Sequence, residues 1–582
     1  MFKLLKNLRA RDYFYMSLAI AFIVVQVWLD LTMPDFTAKL TTSVSSGGVS
    51  MGDVWRNGGM MLLCALGSMT SAFACGYCTV RVASLLSYNL RGQLFSKVTS
   101  FTSVEMKRFS TPSMITRTTN EVTQVQMFVA MGMQMLFKAP IMAVWAICKI
   151  SSSSIEWTIA TAVCVGIILV TVITVVLLCL PKFKKIQKLT DNLNSATRES
   201  VSGVRVVRAF NAESYQESKF NNANEALTRS HLFTSRVMGI LMPVVSMCMN
   251  GLSLAVYWIG GYLIERTQVI SHKAILIGNM ASFIQCAMQV VMAFMMLVMI
   301  FIILPRAIVS ARRINEVLET QPCIKNNDDI VKVDNLARGE VEFRNVNFKY
   351  FDGSNDCISD MSFKANKGET IAIIGATGSG KTTVIDLIPR FYDVTAGEVL
   401  VDGVNVKNYK IEDLQEKVSI VSQKAVLFKG DIKSNVMYGS NVIDEQKVIK
   451  ALKMAKAEFV FDLEKGIDSE VAQGGTNFSG GQKQRLSIAR AIYKDSEVII
   501  FDDSFSALDY KTDMEVRQNI KANLSDRTII IVAQRIGTIK NADKILVLDE
   551  GRVVGEGRHE ELLKKCPLYK EIALSQLSKE EL

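Results

Sequence analysis

Residues 369–388 read ETIAIIGATGSGKTTVIDLI. An apolar run from Ile371 to Ile374 leads into a glycine-rich loop, Gly375 to Lys381, and residues that favour a helix follow. The spacing G-x-x-x-x-G-K-[ST] between a strand and a helix is that of a phosphate-binding loop. Its backbone N–H groups cradle phosphate, the lysine reaches the β and γ phosphates and the next hydroxyl binds Mg²⁺. Lys381 and Thr382 hold those last two positions, and Gly375, Thr377, Gly378, Ser379, Gly380 and Thr383 complete the expected contacts. A chance turn would not be flanked by this strand and this helix. ATP and Mg²⁺ are therefore the expected cofactors, in an α/β domain.

A second apolar strand, SEVIIFDD at 496–503, ends in two acids. Asp502 is placed to hold the magnesium, usually through water. Asp503 raises the question of whether it does chemistry or stands where another residue should.

Working outward, 582 residues exceed one usual domain, so at least two units are expected. Up to about residue 305 long apolar runs dominate; beyond it, short strands alternate with charged helical stretches. A bilayer core of about 30 Å needs roughly 20 apolar residues in a helix. Six stretches qualify: Tyr13 to Met33, Gly59 to Leu86, Met127 to Ile150, Thr158 to Leu180, Val237 to Ile264 and Leu276 to Leu304. A buried soluble helix could explain one of them, but not six in succession. The predicted division is a transmembrane domain over 1–318, a polar linker over 319–338 and a nucleotide-binding domain over 339–582.

Lysine and arginine gather in the amino-terminal MFKLLKNLRAR and after the fourth span, in PKFKKIQKLTDNLNSATRESVSGVRVVRAF. The loops around SSSSIEW and IERTQVISHK hold few charges. By the positive-inside rule both termini and the soluble domain are expected in the cytoplasm. The first apolar run is longer than a signal peptide's core and has no obvious cleavage site, so it reads as a retained span. The net charge of +10 is then mainly a topology signal, with no nucleic-acid partner expected. Most of the 11 cysteines lie inside spans, where buried thiols act as small hydrophobes, and no zinc or disulfide pattern is present.

Two cytoplasmic connections are long, Ser87 to Gln126 and Pro181 to Arg236, and read as spans continued into the cytoplasm. Turn points are expected at STPSMITR (110–117) and SGVRVVRAFNAE (202–213). The last span likewise runs on through PRAIVSARRINEVLE.

Between the two nucleotide strands lies NFSGGQKQRLSIARAI, 477–492. Here the chain resembles the ABC (ATP-binding cassette) superfamily, whose signature motif is matched by Ser479, Gly480, Gly481 and Gln482. The resemblance covers the whole chain and implies a half-size exporter of the type IV fold: six transmembrane helices, two long intracellular loops and a cytosolic P-loop ATPase domain. It implies that Tyr350 stacks on adenine, that Gln423 senses magnesium and the attacking water, and that Asp509 is the D-loop acid. It also implies that two cassettes close head to tail, so that Ser479 and Gly481 face a partner's nucleotide.

The family pattern has Glu after the magnesium-binding Asp and a switch His about thirty residues later. This chain has Asp503, one methylene shorter, and Gln534. Losing a well-placed general base costs about 10²- to 10⁴-fold in rate, and Gln534 cannot become a cation. Exporters also usually have Glu at the position of Gln473. Either change alone could be drift. Together, beside an intact phosphate loop and signature, they resemble the degenerate-site subunit of a bacterial heterodimeric multidrug exporter, in the plasma membrane with a second ABC half. ATP is expected to bind at this site and turn over slowly.

For a substrate path, Met288, Met292, Met295, Met296 and Met299 share one face of the sixth span, a polarizable surface suited to varied apolar ligands. Packing against another span explains the stripe equally well. Asp30 in VWLDLTMP and Lys138 are ionisable groups inside spans, functional candidates by default. Asp30 binding cationic substrates or protons competes with an Asp satisfied by a neighbouring helix. The expected cargo is a small hydrophobic or amphipathic compound moving out of the cytoplasm; lipid, peptide or a metal chelate, a homodimer with two slow sites, and a regulatory subunit are the rivals.

Overall fold

The computed structural model describes every residue except Met1, Asn7, 47–49, 152–154, Gln268, 328–338, Asp352, Ser354, Asn441 and 578–582. Most of the expected linker, 328–338, therefore lies outside the described residues, as do parts of the amino-terminal basic run and of the two charge-poor loops. Two compact units emerge, one of residues 1–99 and 111–320, the other of 100–110 and 321–582.

In the first unit six helices are long and apolar enough to cross a membrane: Ala10–Ser45, Met51–Thr99, Thr111–Ser151, Ile155–Ser202, Glu213–Arg266 and His272–Glu319. At 1.5 Å per residue, a helix of 48 residues is about 70 Å long, twice the hydrocarbon thickness, so each of the longer ones continues well beyond a bilayer. The first span packs along the second and the sixth, the third packs on the sixth, and the fourth pairs with the fifth. The third contains two π-helical turns, Arg117–Glu121 and Phe128–Gly132. Ala19, Ile23, Val27, Cys75, Cys78, Ala146, Trp157 and Val290 are buried in the main core of this unit.

The turn points fall differently in the two loops. In the second, Ile155–Ser202 ends as expected, a short helix Val204–Ala209 follows, Asn211 turns at φ 51° and the chain returns through Glu213–Gly239. In the first, two corners flank a short helix, and the second corner is Ser110, the first residue of STPSMITR. Thr102 and Glu105 form a reciprocal capping box that starts a short helix, Ser103–Phe109, and Ser110 at φ 57° ends it. Pro112 then lies in the first turn of Thr111–Thr116, where a missing N–H costs nothing. Ser110 is thus a corner, as expected, and the TPS that follows opens the next helix.

Among the described residues the second unit has twelve strands: β1 Val341–Phe348, β2 Ile358–Ala365, β3 Thr370–Gly375, β4 Ala396–Val401, β5 Val404–Asn405, β6 Val418–Val421, β7 Gly430–Asp431, β8 Glu470–Val471, β9 Val498–Asp502, β10 Thr528–Val532, β11 Lys544–Asp549 and β12 Arg552–Gly557. The main sheet runs β12-β11-β3-β10-β9-β6, parallel except for the β11–β12 hairpin. Every residue of VIIFD in β9 and TIIIV in β10 is buried, as a parallel sheet covered on both faces requires. In register, Ile373 sits opposite Val532 and Val532 opposite Asp502, so the phosphate loop and the two acids leave the same sheet edge. That edge, at the carboxyl ends of parallel strands, is where α/β sheets bind ligands.

The helix Ser103–Phe109 belongs to this second unit. Val104 packs on the core that holds Val341, Phe343 and Tyr392, and the Glu105 carboxylate accepts the Cys323 backbone N–H at 2.8 Å. Burial works to raise the pKa of Glu105, but the bonds from Cys323 and Thr102 outweigh it and bring it to about 2.

Candidate functional site

β3 ends at Gly375 and the following helix begins at Lys381. A Cβ on Gly375 would lie 2.2 Å from the Leu548 carbonyl oxygen, so only glycine lets the strand end pass β11 there. Gly378 and Gly380 have φ of +88° and +95°, the left-handed region glycine enters freely. The Lys381 ammonium donates to the carbonyls of Gly375 and Ala376 at 2.9 and 2.7 Å, folding back over the loop. Burial pushes its pKa down, against the pull of Asp503 and Asp502.

The loop opens on a cavity of about 310 Å³ lined by Thr377, Lys381, Thr382, Gln423, Asp502, Asp503 and Gln534 among others. Thr382 Oγ1 lies 3.4 Å from both carboxylate oxygens of Asp502. Burial raises the pKa of Asp502, as does the charge of Asp503, while the Thr382 hydroxyl lowers it. A carboxylate held at that cost beside a hydroxyl and a second acid is a hard-oxygen donor set, and it fits Mg²⁺. A bound magnesium nucleotide would bring the phosphate charge that Lys381 and the loop N–H groups are arranged to meet. Asp386, on the helix after the loop, was not anticipated from the sequence. Burial and Asp502 push its pKa up to about 6, with Lys107 acting the other way.

Asp503 adopts φ 47°, with its N–H on the Val532 carbonyl at 2.9 Å. Its Oδ2 accepts two amide protons, from Gln423 Nε2 at 3.2 Å and from Gln534 Nε2 at 3.0 Å. Burial raises the Asp503 pKa, and the bonds from Gln423 and Ser506 work against that rise. Oδ2, one of the two carboxylate oxygens, is thus already a double acceptor.

The other sequence candidates fall elsewhere. Tyr350 does not line the cavity: its hydroxyl bonds Thr383 Oγ1 at 3.0 Å, and the Lys107 ammonium lies 4.5 Å from its ring centroid and 5.5 Å from that of Tyr392. Burial works to lower the Lys107 pKa, but Tyr392, Tyr350 and Asp386 outweigh it and raise it. No sequence signal marked Lys107, which is 243 positions from Tyr350 in the chain. Ser479 caps the helix Gly480–Lys494, its N–H on Gln482 Oε1 at 2.9 Å, and Ser479, Gly480 and the neighbouring Gln473 are exposed and do not line the cavity. Asp509 caps Tyr510–Asn523 through the Thr512 N–H at 3.0 Å. In the first unit, Lys138 Nζ pairs with Asp30 Oδ2 at 3.6 Å. The methionine face divides: Met292 and Met299 are exposed, Met295 packs beside Val172 and Val245, and Met288 is half-buried.

Comparison with known proteins agrees with this architecture. Residues 358–506 match the family profile described as ABC transporter, and residues 16–294 match the ABC transporter transmembrane region. An ABC transporter ATP-binding protein of Mycobacterium tuberculosis is 38% identical over 538 residues, covering 92% of this chain and 89% of the relative. The ABC transporter ATP-binding protein YfiB of Bacillus subtilis is 32% identical over 578 residues, 97% of this chain and 96% of its own. Among solved structures, a bacterial Atm1-family ABC exporter with ATP bound superposes with a TM-score of 0.81 at 24% identity, covering 96% of this chain and 98% of the other. The likeness to that exporter is one of fold. With a transmembrane region, an ATP-binding domain and near full-length relatives all in agreement, this chain belongs to the ABC transporter family.

Proposed function

We propose that this chain is one half of an asymmetric exporter, in which its own phosphate loop forms a slowly hydrolysing ATP site and its signature completes the working site of a different subunit. The observation that carries this reading is the double amide contact on Asp503 Oδ2. A general base must offer a free lone pair within reach of the attacking water. Here two carboxamides hold Oδ2 of a carboxylate one methylene shorter than the family's Glu, which restrains how it can reach water, and the one at Gln534 cannot supply positive charge to developing phosphate charge as an imidazolium would. Tyr350 would contribute the adenine-stacking ring once nucleotide binds, and Gln423 would reach magnesium by turning from Asp503.

A second subunit is supported by the exposed signature serine and by the apolar end of the second intracellular loop, where Val206 and Phe210 are 61% and 79% exposed. The cargo is a small hydrophobic or amphipathic compound moved outward across the plasma membrane, with both termini and the ATP-binding domain in the cytoplasm. The test is to tag the chain, extract it gently from its native membrane and identify what co-purifies in equal amount. A second ABC half with Glu and His at the positions of Asp503 and Gln534 is expected. Recovery of this chain alone, as a dimer with brisk ATP hydrolysis, would overturn the asymmetric reading.

A further inference from the structure

The first span carries Pro34 in its interior. Proline has no N–H, so the Asp30 carbonyl four residues earlier loses its helical bond. Gln289 of the sixth span fills the vacancy, its Nε2 donating to Asp30 O at 2.9 Å. Lys149 of the third span donates to the adjacent Leu31 carbonyl and pairs with Asp35 at 2.7 Å. Within a bilayer, backbone groups freed in this way must be satisfied by neighbouring helices or line a cavity. Both happen here.

The Asp30 carboxylate is committed as well. Ser68 donates its hydroxyl proton to Oδ1, and Lys138 Nζ stands 3.6 Å from Oδ2. Of the two readings of Asp30, these contacts favour the one in which neighbouring helices satisfy it. Lys138 is the available partner. At 3.6 Å it is held by charge without a hydrogen bond. Among the described residues no hydrogen bond from it is seen, so its three donors face outward from the pair.

They face a cavity of about 330 Å³ between the first, second, third and sixth spans, where Lys138 is joined by Gln26, Gln134, Met131, Met135 and Met296. Among the described residues the lining holds no acid, and the Asp30 carboxylate stands behind Lys138 at 3.6 Å. The π-helical turn Phe128–Gly132 immediately precedes the face formed by Gln134, Met135 and Lys138, and such turns concentrate at functional sites. One cation, two carboxamides and three thioethers make a surface for a ligand with an acidic end and a polarizable apolar body.

We propose that this cavity binds an amphipathic organic anion, its carboxylate or phosphate held by Lys138 with Gln26 and Gln134 and its apolar part against the methionines. Asp30 and Ser68 position the lysine, and Gln289 holds the proline-broken helix that carries Asp30. The inference deepens the exporter reading above and rests on it for the role of the bound anion as cargo.

The test uses two dyes with the same xanthene body and opposite charge, anionic fluorescein and cationic rhodamine 6G. Their binding to the complex in nanodiscs is read by anisotropy, and their ATP-dependent uptake is read separately in inside-out vesicles. Fluorescein is expected to bind at least about tenfold more tightly than rhodamine 6G, Lys138→Gln to remove that preference and Lys138→Arg to keep it, since charge and donors survive. Preferential rhodamine binding, or binding of fluorescein and of a fluorescent phosphatidylglycerol each equal in wild type and Lys138→Gln, would overturn the site. If a fluorescent phosphatidylglycerol competes in a Lys138-dependent way where fluorescein does not, the anion site stands and its ligand is a lipid headgroup. Binding that behaves as expected without ATP-dependent uptake of any probe would overturn the cargo role and leave the site.

Discussion

Gln534 donates an amide proton to Asp503 Oδ2 at 3.0 Å, on the same oxygen that Gln423 reaches from the other side at 3.2 Å. The two glutamines lie 31 and 80 positions from Asp503 and meet it because β10 and β6, which they follow, are both parallel neighbours of β9. The double variant Asp503→Glu with Gln534→His would lengthen the acid and exchange an amide for a titratable ring. It is expected to raise hydrolysis at this phosphate loop by about tenfold or more. Single-turnover phosphate release with the partner's site silenced measures it; no rise would remove the slow-site reading.

If the working site is completed by this chain's signature, the two halves of its nucleotide machinery have unequal weight. Gly481→Asp puts a charge where the Cβ would already approach the Ala507 carbonyl to 3.2 Å. It is expected to lower steady-state ATP hydrolysis of the complex by roughly 10²-fold or more, the scale of losing a transition-state contact. Lys381→Ala should cost only a few-fold. Equal losses from the two variants would favour two equivalent sites.

Asp386 gives a pH dependence with a definite sign. Its pKa is raised in the folded protein to about 6, above the unfolded value of about 3.9. Its contribution is fully present below the unfolded value and is lost as pH rises through 6. The melting temperature should therefore fall between pH 5 and pH 7.5 in wild type, and by less in Asp386→Asn. Because Lys107 holds the Asp386 pKa down, Lys107→Met should move the midpoint of that fall to higher pH. Scanning calorimetry or intrinsic fluorescence across the range checks both.

The bond from Gln289 to the Asp30 carbonyl exists because Pro34 cannot make its own. Gln289→Leu should destabilise the detergent-solubilised protein by about 0.6 to 1.7 kcal/mol, the range measured for hydrogen bonds between spans. In a Pro34→Ala background, where the helical N–H returns, most of that loss should vanish. A thermal double-mutant cycle reads the coupling; additive effects would mean that Gln289 stabilises by some other route.

The six spans were legible in the sequence because crossing a bilayer imposes a local requirement, about twenty apolar residues in a row. The phosphate loop was legible for a similar reason: strand, glycine loop, lysine and hydroxyl are consecutive in the chain. The first intracellular turn was legible at Ser110, whose φ of 57° separates two helices, but the helix Ser103–Phe109 before it, started by the capping box of Thr102 and Glu105, and the place of Pro112 in a first helical turn were not. Tyr350 could be picked out by position, but not its engagement with Thr383 and Lys107.

By itself, then, the sequence determined the two kinds of domain, the order of the spans and the residue types at the nucleotide edge, all properties of contiguous stretches. Tertiary structure decided which partners each polar side chain finds: two amides on Asp503, Ser68 and Lys138 on Asp30, and Gln289 on a carbonyl that Pro34 had freed. The physical reason is that a buried polar group must take its partner from whatever packing brings within about 3 Å, and that neighbour is set by strand register and helix contact and not by distance along the chain.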